Sequence, residues 1–202
     1  MANPFARDRL LTLEEYLHLE EQSTVRHEYL DGEIRAMSGV TRQHSRITMN
    51  VGARVWAAAR GGSCRVHQAE VMLQIGRVVY YPDVMVACGG EPSDPRVERD
   101  PSLIVEVLSP TTERTDRGEK AMTYRGLPSL TTYLIVEQDR RWVERQWRTP
   151  NGPWQREIFT DAGAVTIATP SLTLTLDEIY EGVTMPSPAE RLRLREEALA
   201  YG

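Results

Sequence analysis

The chain has 202 residues, 41% of them hydrophobic, and a formal net charge of −5. This length and composition predict a single domain spanning 1–202 with a sizeable core, and they exclude a disordered chain. The acidic balance argues against strong nonspecific binding of nucleic acids, which normally depends on a basic surface.

Membrane insertion and secretion are not expected. The sequence lacks a run of about 18 apolar residues, and its N-terminus lacks the apolar core of a signal peptide. We therefore expect a cytoplasmic protein. Cys64 and Cys88 belong to no zinc-binding pattern, and we expect them to be reduced thiols that pack in the core.

The first elements are a short helix and a hairpin. Thr12 and Glu15 have the spacing of a capping box, and Asp31-Gly32 is a strong two-residue turn signal. From about Thr41 the apolar period becomes helical, with one face formed by Ile47, Val51, Val55 and Ala58. The helix and hairpin (about 10–40) and a charged terminal helix (about 187–201) are predicted as additions to the domain.

Strand-like segments follow at 65–67, 70–75, 78–87 and 103–108. Asp116 is predicted to cap a helix that runs to Arg125 before Gly126. Thr132–Glu137 reads as a buried strand, and 141–147 and 154–160 as an antiparallel pair around Asn151-Gly152. These elements predict an α/β (α+β) fold, in which helices flank a mixed central sheet.

Two apolar segments each carry one carboxylate. Asp83 follows Pro82 in the segment 78–87, and Glu106 interrupts the β-branched run 103–108. An unpaired buried carboxylate is costly, so each must lie at a bend, pair with another group or bind a metal. A turn role for Asp83 and a simple salt bridge for Glu106 are the alternatives to a functional pair.

Lys120 is the single lysine among 24 Lys and Arg residues. An ammonium is a compact charge that differs from a planar guanidinium wherever a water molecule must be polarised. This singles out Lys120 as a candidate for chemistry. The alternative is a solvated lysine left over by a composition that favours arginine.

The motifs resemble those of the PD-(D/E)XK nuclease superfamily, and more specifically its bacterial Uma-type endonucleases. The resemblance runs from about Leu13 to Trp147. It rests on HEYLDGEI at 27–34, MSG at 37–39 with His44, Pro82-Asp83, and EVLSPTT at 106–112 followed by Asp116 and Lys120. Leu108 stands where the superfamily pattern has lysine. Many members carry that lysine on the following helix, where Lys120 lies.

The resemblance implies a site for Mg²⁺ or Mn²⁺. Asp83, Glu106 and the main-chain carbonyl of Val107 would be the metal ligands, and Lys120 would orient or deprotonate the attacking water. Glu33 and His44 also match family positions. Glu33 could reach the metal from the hairpin or be an exposed strand-end residue, and His44 could contact phosphate, act as an acid or only bond at its helix end.

The resemblance implies a Mg²⁺-dependent endonuclease, with DNA as both its substrate and its binding partner. The resemblance also implies a homodimer, for which the strands at 141–160 or the terminal helix would offer a surface. The alternative is a catalytically inactive nuclease-like domain with a binding or regulatory role, which suits the acidic charge. Two basic runs, 114–125 and 140–148, contain interspersed acids, so solvated faces are the more common explanation for them.

Overall fold

The computed structural model describes residues 10–37, 39–109 and 113–201. The motif positions Ser38 and 110–112 lie outside the described residues. The helices are Leu13–Gln22 (α1), Arg42–Ala59 (α2), Glu113–Thr115 (α3), Ala121–Arg125 (α4), Leu176–Ile179 (α5) and Pro188–Tyr201 (α6), and a π-helical turn, Asp116–Lys120, joins α3 to α4. No helix in these ranges has both the length and the apolar character needed to cross a membrane.

The strands of the described residues form three sheets. The strands are His27–Leu30 (β1), Glu33–Ala36 (β2), Cys64–His67 (β3), Met72–Ile75 (β4), Val78–Tyr80 (β5), Val84–Cys88 (β6), Val97–Glu98 (β7), Pro101–Leu108 (β8), Thr132–Glu137 (β9), Trp142–Trp147 (β10), Gln155–Thr160 (β11), Ala164–Ile167 (β12) and Leu172–Thr175 (β13). A six-stranded sheet has the order β11-β10-β9-β8-β6-β3, a five-stranded sheet the order β2-β1-β5-β4-β7, and β12 pairs with β13.

The six-stranded sheet is mixed because β8 and β9 run parallel while its other pairs are antiparallel. A parallel pair needs a long crossover connection, which here is the helical segment from α3 to α4. The side chains of β8 alternate between two apolar clusters. Leu103, Val105 and Val107 pack with α2 on one face, whereas Ile104 and Leu108 pack with α4 on the other. Because side chains alternate along a strand, Glu106 lies on the same face of β8 as Ile104 and Leu108, toward α4.

Several local predictions are confirmed. Thr12 and Glu15 form both hydrogen bonds of the capping box. Asp31 and Gly32, with φ of 45° and 116°, form the two-residue turn between β1 and β2. β10 and β11 pair on either side of Asn151-Gly152 as expected.

The α2 helix begins one residue after Thr41, its N-cap. Its buried apolar stripe includes Ile47, Val51, Val55 and Ala59, so the predicted fourth position, Ala58, is wrong by one residue. Each step of four residues turns about 40° around a helix of 3.6 residues per turn, so the buried stripe winds gradually around α2.

The segment 78–87 is two strands rather than the predicted one. The chain leaves β5 in the five-stranded sheet, bends at Tyr81-Pro82-Asp83 and enters β6 in the six-stranded sheet. Proline lacks the N–H that a continuous central strand needs, which explains the break. Asp83 therefore lies at the junction of two sheets.

Two further expectations are wrong. Asp116 is not an N-cap but a buried residue inside the helical segment, because its carboxylate faces Lys120 one turn later. Cys64 and Cys88 are not thiols but a disulfide, with a sulfur–sulfur distance of 2.10 Å. They are 24 residues apart in sequence but directly opposite each other on β3 and β6, which the sequence alone did not indicate.

Candidate active site

Asp83, Glu106 and Lys120 meet at one pocket of about 540 Å³ between the two large sheets. Asp83 comes from the bend after β5, Glu106 from the middle of the fully buried strand β8, and Lys120 from the last residue of the π-helical turn. The wall also includes His44 at the start of α2 and Glu28 of β1. Residues far apart in sequence are thus held by separate rigid elements around a common space.

The Asp83 carboxylate is fixed through one of its oxygens. Asp83 Oδ2 accepts a hydrogen bond from the Val107 main-chain N–H at 2.7 Å and lies 3.1 Å from Nε2 of His44. In the described part of the chain no group bonds to Oδ1. One oxygen therefore holds the side chain in position, and the other remains free to contact a ligand.

The two oxygens of the Glu106 carboxylate also differ in their contacts. Its Oε1 accepts hydrogen bonds from the Tyr124 hydroxyl at 2.8 Å and from Lys120 Nζ at 3.2 Å. Its Oε2 has only a long contact, 3.4 Å, with the Asp83 main-chain N–H. Burial raises the pKa of Glu106 well above its ordinary value, and the neighbouring Asp116 and Asp83 carboxylates add to the shift against the opposing effect of Lys120.

Lys120 lies at the centre of a cluster of carboxylates. Its Nζ is 2.7 Å from Glu28 Oε1, 3.1 Å from Asp116 Oδ1 and 3.2 Å from Glu106 Oε1. Burial alone would lower the Lys120 pKa, but the surrounding carboxylates reverse the effect and hold it well above its ordinary value. Lys120 is consequently a charged donor in this arrangement and not a free amine.

His44 contributes to the cluster, whereas Glu33 does not. The His44 side chain is buried, contacts Asp83 through Nε2, and has no hydrogen-bond partner for Nδ1 within the described ranges. The Glu33 side chain is 63% exposed and lies 3.5 Å from an Arg35 nitrogen, outside the pocket wall. From the same hairpin, the carboxylate that enters the pocket is that of Glu28.

Glu28, Asp116 and Tyr124 were not among the sequence-predicted site residues. Asp116 had a detectable signal, since a residue four positions before Lys120 lies on the same face of a helix. Glu28 lies within the quoted family motif, but its approach to Lys120 depends on the packing of one sheet beside the other. Burial raises the Glu28 pKa despite the opposing effect of Lys120.

The donor set suits a hard divalent cation. The carboxylates of Glu28, Asp83, Glu106 and Asp116 line the pocket together with Lys120 and Arg35, so acidic side chains outnumber basic ones there. Asp83 Oδ1 and Glu106 Oε2 are the carboxylate oxygens left open, and Mg²⁺ and Mn²⁺ prefer oxygen ligands. Within the described residues, no group of three or more His, Cys, Asp or Glu side chains is arranged to hold a metal ion. A site here would need a main-chain oxygen as well, and Val107 lies beside both acids.

The mixed sheet with flanking helices, and the acids and lysine that line one pocket beside it, define a protein of restriction-endonuclease-like architecture. The sequence profile of the Uma2 family, described as "Putative restriction endonuclease", matches residues 13–178. The chain belongs to this family, which confirms the resemblance seen in the sequence.

Two similar proteins come from Synechocystis. "Uncharacterized protein slr1290" is 33% identical over 189 residues, which cover 90% of this chain and 97% of that protein. "Uncharacterized protein sll1609" is 32% identical over 155 residues, or 74% of this chain and 87% of that protein. The similarity to both extends well beyond the site motifs.

A solved structure confirms the fold class. The crystal structure of "a putative nuclease belonging to DUF820" from Anabaena variabilis superposes with a TM-score of 0.70 at 18% identity. The match covers 86% of this chain and 99% of that chain. The predicted mixed sheet flanked by helices is therefore an architecture shared with a solved protein.

Proposed function

We propose that this protein is a divalent-metal-dependent endonuclease that hydrolyses phosphodiester bonds of DNA. The observation that carries the proposal is the convergence of Asp83, Glu106 and Lys120 on one pocket, with an open oxygen on each acid. Fold similarity alone would not justify an activity, because one fold hosts many functions.

In this proposal Asp83, Glu106 and the main chain of Val107 would hold Mg²⁺ or Mn²⁺. Such an ion supplies charge neutralisation at the phosphate and a more acidic bound water. The Val107 N–H bond and the His44 contact fix Asp83 from behind. Tyr124 and Lys120 fix Glu106 in the same way through its other oxygen.

Lys120 orients the attacking water by donating a hydrogen bond from its ammonium. Three carboxylates position Nζ, and the ion pairs favour its charged form. The water oxygen forms the new bond to phosphorus and releases one proton to solvent, while the bond from phosphorus to the leaving oxygen breaks and that oxygen takes up one proton from solvent. Lys120 thus acts by position and charge, which is why arginine, with its larger planar group, is a poor substitute.

The roles of His44 and Glu33 differ in this account. His44 positions Asp83, and its second ring nitrogen is the side of the imidazole available to a substrate phosphate. Glu33 is a less favourable candidate, since its exposed carboxylate lies beside Arg35. A cytoplasmic location and assembly as a homodimer remain predictions from the sequence.

The test is cleavage of supercoiled plasmid, linear duplex and single-stranded DNA in Mg²⁺, Mn²⁺ or EDTA. Wild type is compared with Asp83→Asn and Glu106→Gln, and with the control Glu157→Gln, which removes an exposed carboxylate from β11. We expect metal-dependent cleavage by wild type and the control and at least about a hundredfold loss in both site variants, since each removes a metal ligand. Absence of cleavage by correctly folded wild type, or equal cleavage by all variants, would contradict the proposal and favour a binding module.

A further inference from the structure

A second pocket, of about 300 Å³, lies between the helical crossover and the β10–β11 hairpin. Its wall contains three arginines, one tryptophan and one carboxylate, namely Arg117, Arg125, Arg156, Trp154 and Glu144, together with Ile135, Gln146 and Gln155. It shares no lining residue with the pocket around Lys120. Three guanidinium groups and one carboxylate thus line a concave site that is separate from the pocket around Lys120.

Two of the arginines are already held by Glu144. Arg156 donates a hydrogen bond to Glu144 Oε2 at 2.8 Å, its Nε lies 2.7 Å from Oε1, and Arg117 contacts the same carboxylate at 3.3 Å. Burial opposes ionisation of Glu144, but the bonds from Arg156 and Gln146 lower its pKa, so it stays charged and keeps both guanidinium groups in place. This arrangement pre-orients donors on the wall of the pocket.

Arg125 is the uncompensated charge. Its Nε donates to the Ala121 carbonyl at 3.0 Å, and none of the described carboxylates pairs with its guanidinium. Because guanidinium groups match the geometry of phosphate oxygens, the remaining N–H donors suit an anionic group.

Trp154 lines the same pocket and contacts the main chain of Arg125. Its indole N–H donates to the Arg125 main-chain carbonyl at 3.2 Å, while the Arg148 guanidinium lies 4.9 Å from the ring centroid. The ring is half-buried and forms part of the pocket wall. An aromatic wall next to an open guanidinium suits a ligand that joins a planar ring to an anion.

Gln146 supplies an independent sign of a missing partner. It is only 7% exposed, lines the pocket, and donates through Nε2 to Glu144 at 2.8 Å. Because a carboxylate only accepts hydrogen bonds, this contact fixes the orientation of the amide. The amide oxygen then has no hydrogen-bond partner in the described part of the chain, although buried acceptors normally have one.

We propose that this pocket binds a nucleotide unit, with the phosphate on Arg125, the base against Trp154 and an N–H group of the ligand on Gln146. The unit comes either from a free mononucleotide or from a nucleotide within a strand. The proposal does not rest on the nuclease function, since it concerns residues on the other side of the crossover from Lys120.

Calorimetry in EDTA tests this site without engaging metal-dependent chemistry. The probes are AMP, inorganic phosphate and a ten-nucleotide single-stranded DNA, titrated into wild type, Arg125→Gln and Arg60→Gln. Arg60 lies just after α2, against the opposite face of the sheet, so its variant removes the same charge elsewhere. Thermal unfolding of each variant shows whether the fold is retained.

We expect saturable binding of AMP or of the oligonucleotide that is tighter than binding of phosphate. Arg125→Gln should weaken it about tenfold or more, and Arg60→Gln should not, because a charged hydrogen bond is lost only in the first. Binding of the oligonucleotide alone would identify the strand as the source, and binding of AMP the free nucleotide. No binding of either, binding of phosphate as tight as that of AMP, or equal losses in both variants would overturn the assignment.

A second variant protects the test against misfolding of the first. Gln146→Leu removes the orphaned amide oxygen and the bond to Glu144 but leaves all three arginines. We expect it to weaken binding of AMP relative to that of phosphate. Unchanged selectivity in a folded Gln146→Leu protein would contradict base recognition at this pocket.

Discussion

Glu28 Oε1 lies 2.7 Å from Lys120 Nζ. A carboxylate from the five-stranded sheet thereby meets the ammonium at the end of the π-helical turn that crosses the six-stranded sheet. Since each partner belongs to a different unit of the fold, their contact ties the geometry of the pocket to the packing of the two sheets.

Glu28→Gln is expected to reduce DNA cleavage about tenfold to a hundredfold, because Lys120 loses its shortest ion pair and its position becomes less defined. Glu33→Gln is the matched change in the same hairpin and should have a small effect, since that carboxylate is exposed. Single-turnover cleavage rates of the two variants distinguish the structural assignment from the sequence-based one. A large loss of cleavage with Glu33→Gln and none with Glu28→Gln would contradict the assignment of Glu28 to the site.

Lys120→Met is expected to lower the free energy of unfolding by about 3–5 kcal/mol, because it leaves buried carboxylates without their cation. The neighbouring carboxylates raise the Lys120 pKa despite burial, so this stabilisation is complete below the ordinary lysine pKa, about 10.4. It is lost as the pH rises through the folded-state value. Urea unfolding should show a full difference from wild type near neutral pH and a smaller one above pH of about 10.5. Equal stability of the two proteins at neutral pH would refute the buried ion-pair cluster.

His44→Ala is expected to weaken Mn²⁺ binding about tenfold to a hundredfold, the usual effect of removing a residue that orients a metal ligand. Its Nε2 contacts the same Asp83 oxygen that accepts the Val107 N–H bond. His18→Ala is the control, because His18 bonds to Gln22 within α1, apart from the pocket wall. Calorimetric titration with Mn²⁺ measures both, and unchanged affinity in folded His44→Ala would remove His44 from the site.

Two helical glycines should respond differently to alanine. A Cβ at Gly52 would lie 2.1 Å from Gln68 Nε2, the end of an exposed side chain that can move away, so Gly52→Ala loses the Gln68 bond to the Thr48 carbonyl and should change the free energy of unfolding by less than about 1 kcal/mol. A Cβ at Gly118 would have no atom within 4 Å, and Gly118→Ala should stabilise by about 0.5–1 kcal/mol through helix propensity. Thermal unfolding measures both changes. Destabilisation by Gly118→Ala would indicate that the π-helical turn itself needs glycine.

The sequence identified three main residues of the site, but it did not indicate which other residues they contact. Asp83 and Glu106 stand out because a single acid interrupts each apolar segment, and Lys120 because it is the only lysine. Glu28 could not be selected in this way, since its alignment with Lys120 arises from the packing of two sheets. The same holds for the disulfide, whose cysteines meet only through the register of β3 and β6.

Elements whose signals are local were predicted most accurately. The capping box at Thr12 and the turn at Asp31-Gly32 depend on adjacent residues, and both form as expected. The break at Pro82 was not predicted because apolar residues continue through it. The position of Asp116 was not predicted because its carboxylate pairs with Lys120 instead of capping a helix N-terminus.

Anomalous diffraction from crystals grown with Mn²⁺ and collected at the manganese absorption edge tests the central claim most directly. We predict a peak at about 2.0–2.3 Å from Asp83 Oδ1 and Glu106 Oε2, near the main-chain oxygen of Val107. Lys120 Nζ should be within reach of a water bound to the ion. A fully occupied Mn²⁺ elsewhere on the protein, with no peak between Asp83 and Glu106, would contradict the proposed metal-dependent site.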